Sequence, residues 1–480
     1  MNFTFINRKF VRKGLPLLQL LLLLIFPSIF PFGENQGLSK EGQSVSSGSE
    51  KISASDQLPP LDVQNESSEY ITRKELEGKI ADLSWKKGKF KITPYGFLNA
   101  ALSYDSARTL PGEFTLYAQS ADIDDSPDFA IDARTSRIGL MVDAPGLESL
   151  PGSTLRGVVE FDFQGVCSGT RNRGGLLLRK AFAELAHKEQ DWKLAFGQDW
   201  EIISPLYPQM LVYLPAGFAG NIGYRRCQFR AEKGLTFTQN FKTILQASVN
   251  DDFSTDYAST SGVSIGTTGM PVFEGRVAFK MLEEARRGLP ITLGISGHTG
   301  KQCYSFSKIN SCLFAEEIKG QKIPTWSGNF DFDLPLTRKF RLQGEYYYGE
   351  NLNGFCGGIA QGIDLYRRDG IRDQGCWISG HVDWTSKFST NTGYSIDLPE
   401  KDDLIGVVLP TNGITYARTK NAVVFTNFLY NWTPALMTGL ELSYWKTDYR
   451  KADITGESPV FLPMRSGEAF RTECVVRFTF

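Results

Sequence analysis

The sequence predicts an all-β chain that closes into a transmembrane antiparallel β-barrel of about sixteen strands, with short periplasmic turns and long extracellular loops. Three observations predict it: a C-terminal segment that alternates strictly, the recurrence of that alternation, and connections that switch regularly between short and long. In the closing segment, Phe470, Thr472, Cys474, Val476, Phe478 and Phe480 share one face, and Arg471, Glu473, Val475, Arg477 and Thr479 share the other. Alternation with period two is the signature of a strand whose faces meet different surroundings. An arginine turned into lipid at the midplane costs about 2–4 kcal/mol, so the even-numbered face meets the bilayer and Arg471 and Arg477 face the lumen.

The same parity recurs upstream. Val159, Phe161 and Phe163 oppose Arg156, Glu160 and Asp162, and Trp326, Phe330 and Phe332 oppose Ser327, Asn329 and Asp331. Trp192, Leu194 and Phe196 oppose Lys193 and Ala195, and Leu342, Tyr346 and Tyr348 oppose Arg341, Gln343 and Glu345. Strands are expected to begin near residues 90, 132, 153, 177, 191, 225, 241, 271, 289, 323, 340, 375, 387, 414, 435 and 469. Short connections such as Lys188–Gln190 and Leu336–Arg338 alternate with long ones: Asp105–Pro127, Glu201–Gly223, Asp251–Gly269, Thr299–Lys322, Glu350–Gln374, Pro399–Gly413 and Tyr449–Gly467. A propeller or a sandwich has no reason to alternate loop length in this way.

Composition agrees. The 480 residues include 34 Phe, 18 Tyr and 47 Gly but three His, and the net charge of −1 argues against non-specific nucleic-acid binding. Residues 1–32 read as a signal peptide: Arg8, Lys9, Arg12 and Lys13 precede an apolar run from Leu15 to Phe26, too short to span a bilayer. Residues 33–70 are rich in Ser, Gly, Gln and Glu and read as a flexible periplasmic linker. Residues 71–87 carry Leu76, Ile80 and Leu83 at helical spacing and read as a short helix, and residues 88–480 as the barrel. The seven cysteines suit an oxidising compartment, and their spacing allows Cys303–Cys312 and Cys356–Cys376 pairs.

Catalytic and metal signals are absent from the pattern. Gly294–Lys301 superficially matches a phosphate-binding loop, but Gln302 stands where Ser or Thr is needed, and no helix follows. His187, His298 and His381 have no metal-ligand spacing, and no nucleophile elbow occurs. No enzyme activity, cofactor or metal is expected. The more specific signal is arginine placement. Arg137, Arg226 and Arg230, with Arg471 and Arg477, would form a basic sector of the inner wall. The connection Glu201–Gly223 carries Tyr207, Tyr213 and Phe218 and no charge after Glu201 until Arg225. A loop this apolar needs cover, which folding inward as a constriction or packing on a neighbouring subunit would supply. Arginines facing such a loop favour small organic anions.

The runs Arg134–Gly139, Arg179–Phe182, Gly197–Trp200 and Arg226–Arg230 resemble the DcaP-like outer-membrane porins, and the resemblance extends from about Lys89 to Phe480. It implies a trimeric outer-membrane porin that takes up dicarboxylates and similar small anions, in contact with outer-membrane lipid, with basic constriction residues at Arg137, Arg226 and Arg230. Two other readings stay open: a general or cation-preferring diffusion pore, and a structural or adhesive outer-membrane barrel.

Overall fold

The computed structural model describes residues 85–165, 174–252, 263–282, 286, 288–306, 318–408 and 411–480. The expected signal peptide and linker lie outside these residues. So does the expected helix, except for Trp85–Lys87, which form a short strand paired with Phe90–Ile92.

The described chain closes an antiparallel barrel of sixteen strands. They are β1 (Phe90–Asp105), β2 (Asp128–Asp132 continued by Arg137–Pro145), β3 (Ser153–Gly165) and β4 (Gly175–His187). Next come β5 (Trp192–Trp200), β6 (Arg225–Thr238), β7 (Phe241–Asn250) and β8 (Val272–Met281). The second half contains β9 (Ile291–Phe306), β10 (Ile318–Pro335), β11 (Phe340–Glu350) and β12 (Arg372–Asp383). It ends with β13 (Phe388–Pro399), β14 (Ile414–Thr433), β15 (Leu436–Asp453) and β16 (Gly467–Thr479). Each strand pairs with its sequence neighbours. β16 returns to β1 in the register Phe97↔Thr479 to Asp105↔Arg471, leaving no free edge. Every strand begins within five residues of its sequence expectation. One connection is shorter than expected: β9 and β10 continue well into Thr299–Lys322 as a long hairpin.

The faces follow the parity argument. Leu98, Phe196, Phe229, Ile295, Phe330, Val424, Val476 and Phe478 point outward and are exposed, while Glu160, Asp162, Asn329, Asp331, Glu345, Arg471 and Glu473 point inward. Tight turns at the periplasmic end have a shared chemistry. In three of them a threonine hydroxyl (Thr337, Thr385, Thr433) accepts N–H groups from the second and third residues that follow. That bond replaces ladder partners the chain loses as it reverses.

The expected Cys356–Cys376 pair does not form; both are free thiols. Cys356 is buried in the β11–β12 connection inside the lumen, whereas Cys376 sits on the outward side of β12, so the wall separates them. Cys312 lies outside the described residues.

A charge on the outward face is expected to be costly. Val424→Arg, near the middle of β14, should destabilise the barrel by about 2–4 kcal/mol, measured by urea unfolding in lipid vesicles. An unchanged midpoint would show that this face does not meet lipid.

Candidate functional site: a lumen narrowed by an inward loop

The connection Glu201–Gly223 does not rise into solvent; it crosses the lumen about midway along the strands. Carboxylates on the inner wall accept its backbone N–H groups in succession. Ile202 N donates to Glu274 on β8 (3.0 Å), Leu206 N to Glu345 on β11 (2.8 Å), and Leu211 N to Glu441 on β15 (2.7 Å). Glu345 also accepts from the Ser204 hydroxyl and from Trp377 Nε1 (3.0 Å). Wall donors take the loop carbonyls: Asn427 binds Gln209 O (2.7 Å), Asn421 binds Phe218 O (2.8 Å) and Ser395 binds Ala219 O (2.5 Å). Backbone at membrane depth has no water to fall back on, so each such group needs a protein partner.

Apolar side chains of the loop are covered by an apolar patch on the wall, in the manner its composition requires. Met210, Val212, Ala216 and Ala219 pack with Val423 and Phe425 of β14, Trp445 of β15 and Ala469 of β16. Leu211 packs with Leu429, Met437 and Val475. Gly220 (φ +108°) approaches the wall so closely that an added Cβ would lie 2.4 Å from Ile396 O and 2.6 Å from Cys376 O. Only glycine fits there.

Two further connections close over this loop. Phe218 N donates to Cys356 O and Gly223 N to Phe355 O, both at 2.7 Å, which ties the β11–β12 connection to it. Asn421 also donates to Leu116 O (2.7 Å) in the β1–β2 connection.

The sequence-predicted residues separate into two groups. Arg226 is 8% exposed and bound to Glu201 (2.6 Å) and to Gly354 O (3.1 Å). Arg471 is 2% exposed, held by Asp105 (2.7 Å) and Glu473 (3.1 Å) and by carbonyls of Gly112 and Glu113. These two anchor loops to the wall and present no guanidinium to the lumen. Phe218 is fully buried, so it supports the constriction from behind.

Arg137 (21% exposed), Arg230 (18% exposed) and Arg477 stay partly open on the inner wall. Arg137 and Arg477 both lie over the ring of Phe97, at 5.0 and 4.4 Å. Arg137 faces Glu160 (3.6 Å), and Arg230 meets Asp199 (3.0 Å). Tyr207 and Tyr213 are half-buried on the loop. The Tyr213 hydroxyl donates to Asp162 (2.9 Å), reaching across to β3.

Several contributors went unread in the sequence. Arg179, buried at a bulge in β4, joins Glu160 and Asp162 (2.8 Å each) and approaches the Tyr213 ring (5.9 Å). Arg418 of β14 binds the carbonyls of Ile359 (2.7 Å) and Ala360 (3.2 Å) and stacks on Tyr117 (4.4 Å). Arg225 lies over Tyr224 (4.6 Å) and Trp200 (5.2 Å) and donates to the Tyr224 hydroxyl (2.8 Å). Neither Arg225 nor Arg418 meets a carboxylate among the described residues. Tyr117, Tyr213 and Tyr224 belong to one packed cluster, so these cations border the same constriction. The bulge at Arg179 and the start of β6 at Arg225 are where parity fails; Arg179 stood in a run that carried the resemblance, but nothing in the sequence gave either side chain its face. His298 is buried against Phe355, bonded to Ser327 and Thr325, and serves packing.

Removing a clamp should loosen the constriction. Glu345→Ala leaves three donors without an acceptor, at a cost of about 1–3 kcal/mol for each that stays buried. Single-channel recordings should show larger and noisier current than the parent; an unchanged trace would mean Glu345 does not hold the loop.

No protein-family model matches the sequence, and no curated protein sequence does either. Among solved structures, the outer-membrane channel DcaP of Acinetobacter baumannii superimposes with a TM-score of 0.61 at 16% identity, covering 82% of this chain and 99% of that one. An anion-selective porin from Comamonas acidovorans aligns at a TM-score of 0.48 and 12% identity, over 82% of this chain and all of that one. Salmonella typhi OmpF, solved with daunomycin, aligns at 0.48 and 9% identity, over 83% and 100%. The likeness to DcaP establishes a shared fold, that of an outer-membrane channel.

Proposed function

We propose that this chain is an outer-membrane porin, a passive diffusion channel for small anionic solutes, dicarboxylates among them. The observation that carries the reading is the asymmetry at the constriction. The loop lies over Glu274, Glu345 and Glu441, so these acids are covered, while Arg137, Arg230 and Arg477 remain partly open on the wall. Arg225 and Arg418, buried as deeply as Arg226, add positive charge only from behind this surface, without a neighbouring carboxylate among the described residues. A solute crossing here meets guanidinium groups together with Tyr213, whose hydroxyl reaches Asp162, the cross-strand partner of Arg137. That pairing suits a carboxylate attached to a small apolar body. The polar lumen requires no energy input or moving plug. The homotrimer implied by the sequence resemblance belongs to the same proposal.

A planar-bilayer recording in a KCl gradient tests it. The reversal potential should have the sign of anion preference, and Arg137→Ala with Arg230→Ala and Arg477→Ala should move it toward zero. A cation-selective potential in the parent protein would replace this reading with a cation-preferring pore, and absence of conductance would favour an adhesive or structural barrel. Light scattering of the same detergent preparation should give the mass of three chains; a single-barrel mass would end the trimer.

A further inference from the structure

We propose that the outward face of β8–β10 holds one phosphorylated glycolipid of the outer leaflet, bound through Lys301 and Lys322 with an acyl chain in a recess below them. The lysines lie toward the extracellular end of β9 and β10, both exposed, and parity turns both outward: their neighbours Gln302 and Ile323 are buried inside. Register places Lys301 opposite Pro324 and Lys322 opposite Cys303, so the two cations are diagonal neighbours on adjacent strands. Diagonal positions are about 7–8 Å apart, close enough for both ammonium groups to reach one phosphate.

Their charge is uncompensated, unlike that of two other outward cations at this end. Lys446 pairs with Glu468 (2.6 Å) and Arg372 with Asp403 (2.7 Å). Lys301 and Lys322 meet no carboxylate among the described residues, and Lys322 Nζ donates to the carbonyl of Thr268 (3.2 Å). Two unneutralised cations at the height of the headgroups complement a lipid phosphate.

Below the lysines the surface is shaped for hydrocarbon. Phe273, Thr299 and Trp326 form the next row, an aromatic level of the kind found at membrane interfaces. The row beneath is Gly275, Gly297 and Gly328, paired across the three strands. A recess of about 340 Å³ opens on the β7–β9 side of this row, reaching it at Gly275 and lined below by Leu245, Val277 and Ile295 together with parts of Gln246, Arg276 and Ser296. It lies on the outward side: Leu245, Val277 and Ile295 are all exposed. From Lys301 to Gly297 is four residues, roughly 13 Å along the strand. That separation matches a molecule whose phosphate sits in the headgroup layer and whose chain begins just below. The extracellular position of the lysines selects a glycolipid of the outer leaflet over a glycerophospholipid.

The proposal uses the membrane orientation of the porin reading, but its readout is lipid binding, so the two can fail separately. The purified full-length protein is titrated with a bis-phosphorylated diglucosamine lipid in mild detergent and followed by native mass spectrometry. Phosphatidylglycerol and the dephosphorylated glycolipid are run in parallel. The parent should retain one phosphorylated glycolipid, and Lys301→Ala with Lys322→Ala should weaken it roughly thirtyfold, on the basis of about 1 kcal/mol per surface cation. Gly275→Leu should weaken it severalfold by filling the recess; an added Cβ there meets nothing within 4 Å, so the barrel should still fold. Conductance should be unchanged in all variants because these side chains face away from the lumen. Equal binding by the lysine variant, or equal retention of phosphatidylglycerol or of the dephosphorylated lipid, would overturn the proposal.

Discussion

Most of the lumen's shape depends on one interaction, the donation of loop backbone N–H groups to carboxylates on the barrel wall. A barrel of sixteen strands, filled by side chains alone, leaves an aqueous channel. Here Glu274, Glu345 and Glu441 stand at similar heights on β8, β11 and β15, and each takes a backbone N–H from the Glu201–Gly223 connection. Three such hydrogen bonds in series hold an extended segment that has no ladder of its own. The apolar inner patch of β14–β16 follows from the same placement. Val423, Phe425 and Trp445 face the lumen because a loop, not water, lies against them.

The clamp also sorts the charges. A barrel wall with near-balanced acids and bases would give little selectivity. By lying against the sector that carries Glu345 and Glu441, the loop covers acids and leaves an arginine-bearing stretch of wall partly open. There Arg137 and Arg477 share Phe97 as a stacking surface, and Arg230 sits beyond them on β6. The buried Arg179 keeps Glu160 and Asp162 occupied, so those carboxylates do less to cancel the field of the open arginines. Loop packing and the proposed anion preference would both follow from one arrangement.

Much of this was legible in the sequence. Period-two parity located the strands and assigned the faces, including the inward turn of Arg471 and Arg477. The uncharged run after Glu201 marked the loop that folds in. What parity supplies is the side of the wall a residue faces, not what covers it there. Arg226 and Arg471 point inward as expected, but their partners Glu201 and Asp105 lie 25 and 366 residues away in the chain, and closure of the barrel brings Asp105 to Arg471. Phe218 was indistinguishable from Tyr213 in composition. The contact with Cys356 that buries it depends on a second loop reaching the same point. Cys356 and Cys376 are close in sequence yet divided by the wall, which spacing alone does not reveal. The clamping glutamates were visible as inward carboxylates, but nothing local marks a carboxylate that binds a backbone 72 to 230 residues distant.

On the proposed reading, the pore is narrowest where the inward loop approaches the arginine-bearing wall. Cysteine accessibility tests it most directly. In a background without native cysteines, Tyr213→Cys and Phe218→Cys channels are exposed in turn to a charged methanethiosulfonate reagent during single-channel recording. Modification at position 213 should sharply reduce the current, because that side chain borders the passage, whereas position 218 should be unaffected behind it. Block at 218 comparable to that at 213, or no block at 213, would contradict the account.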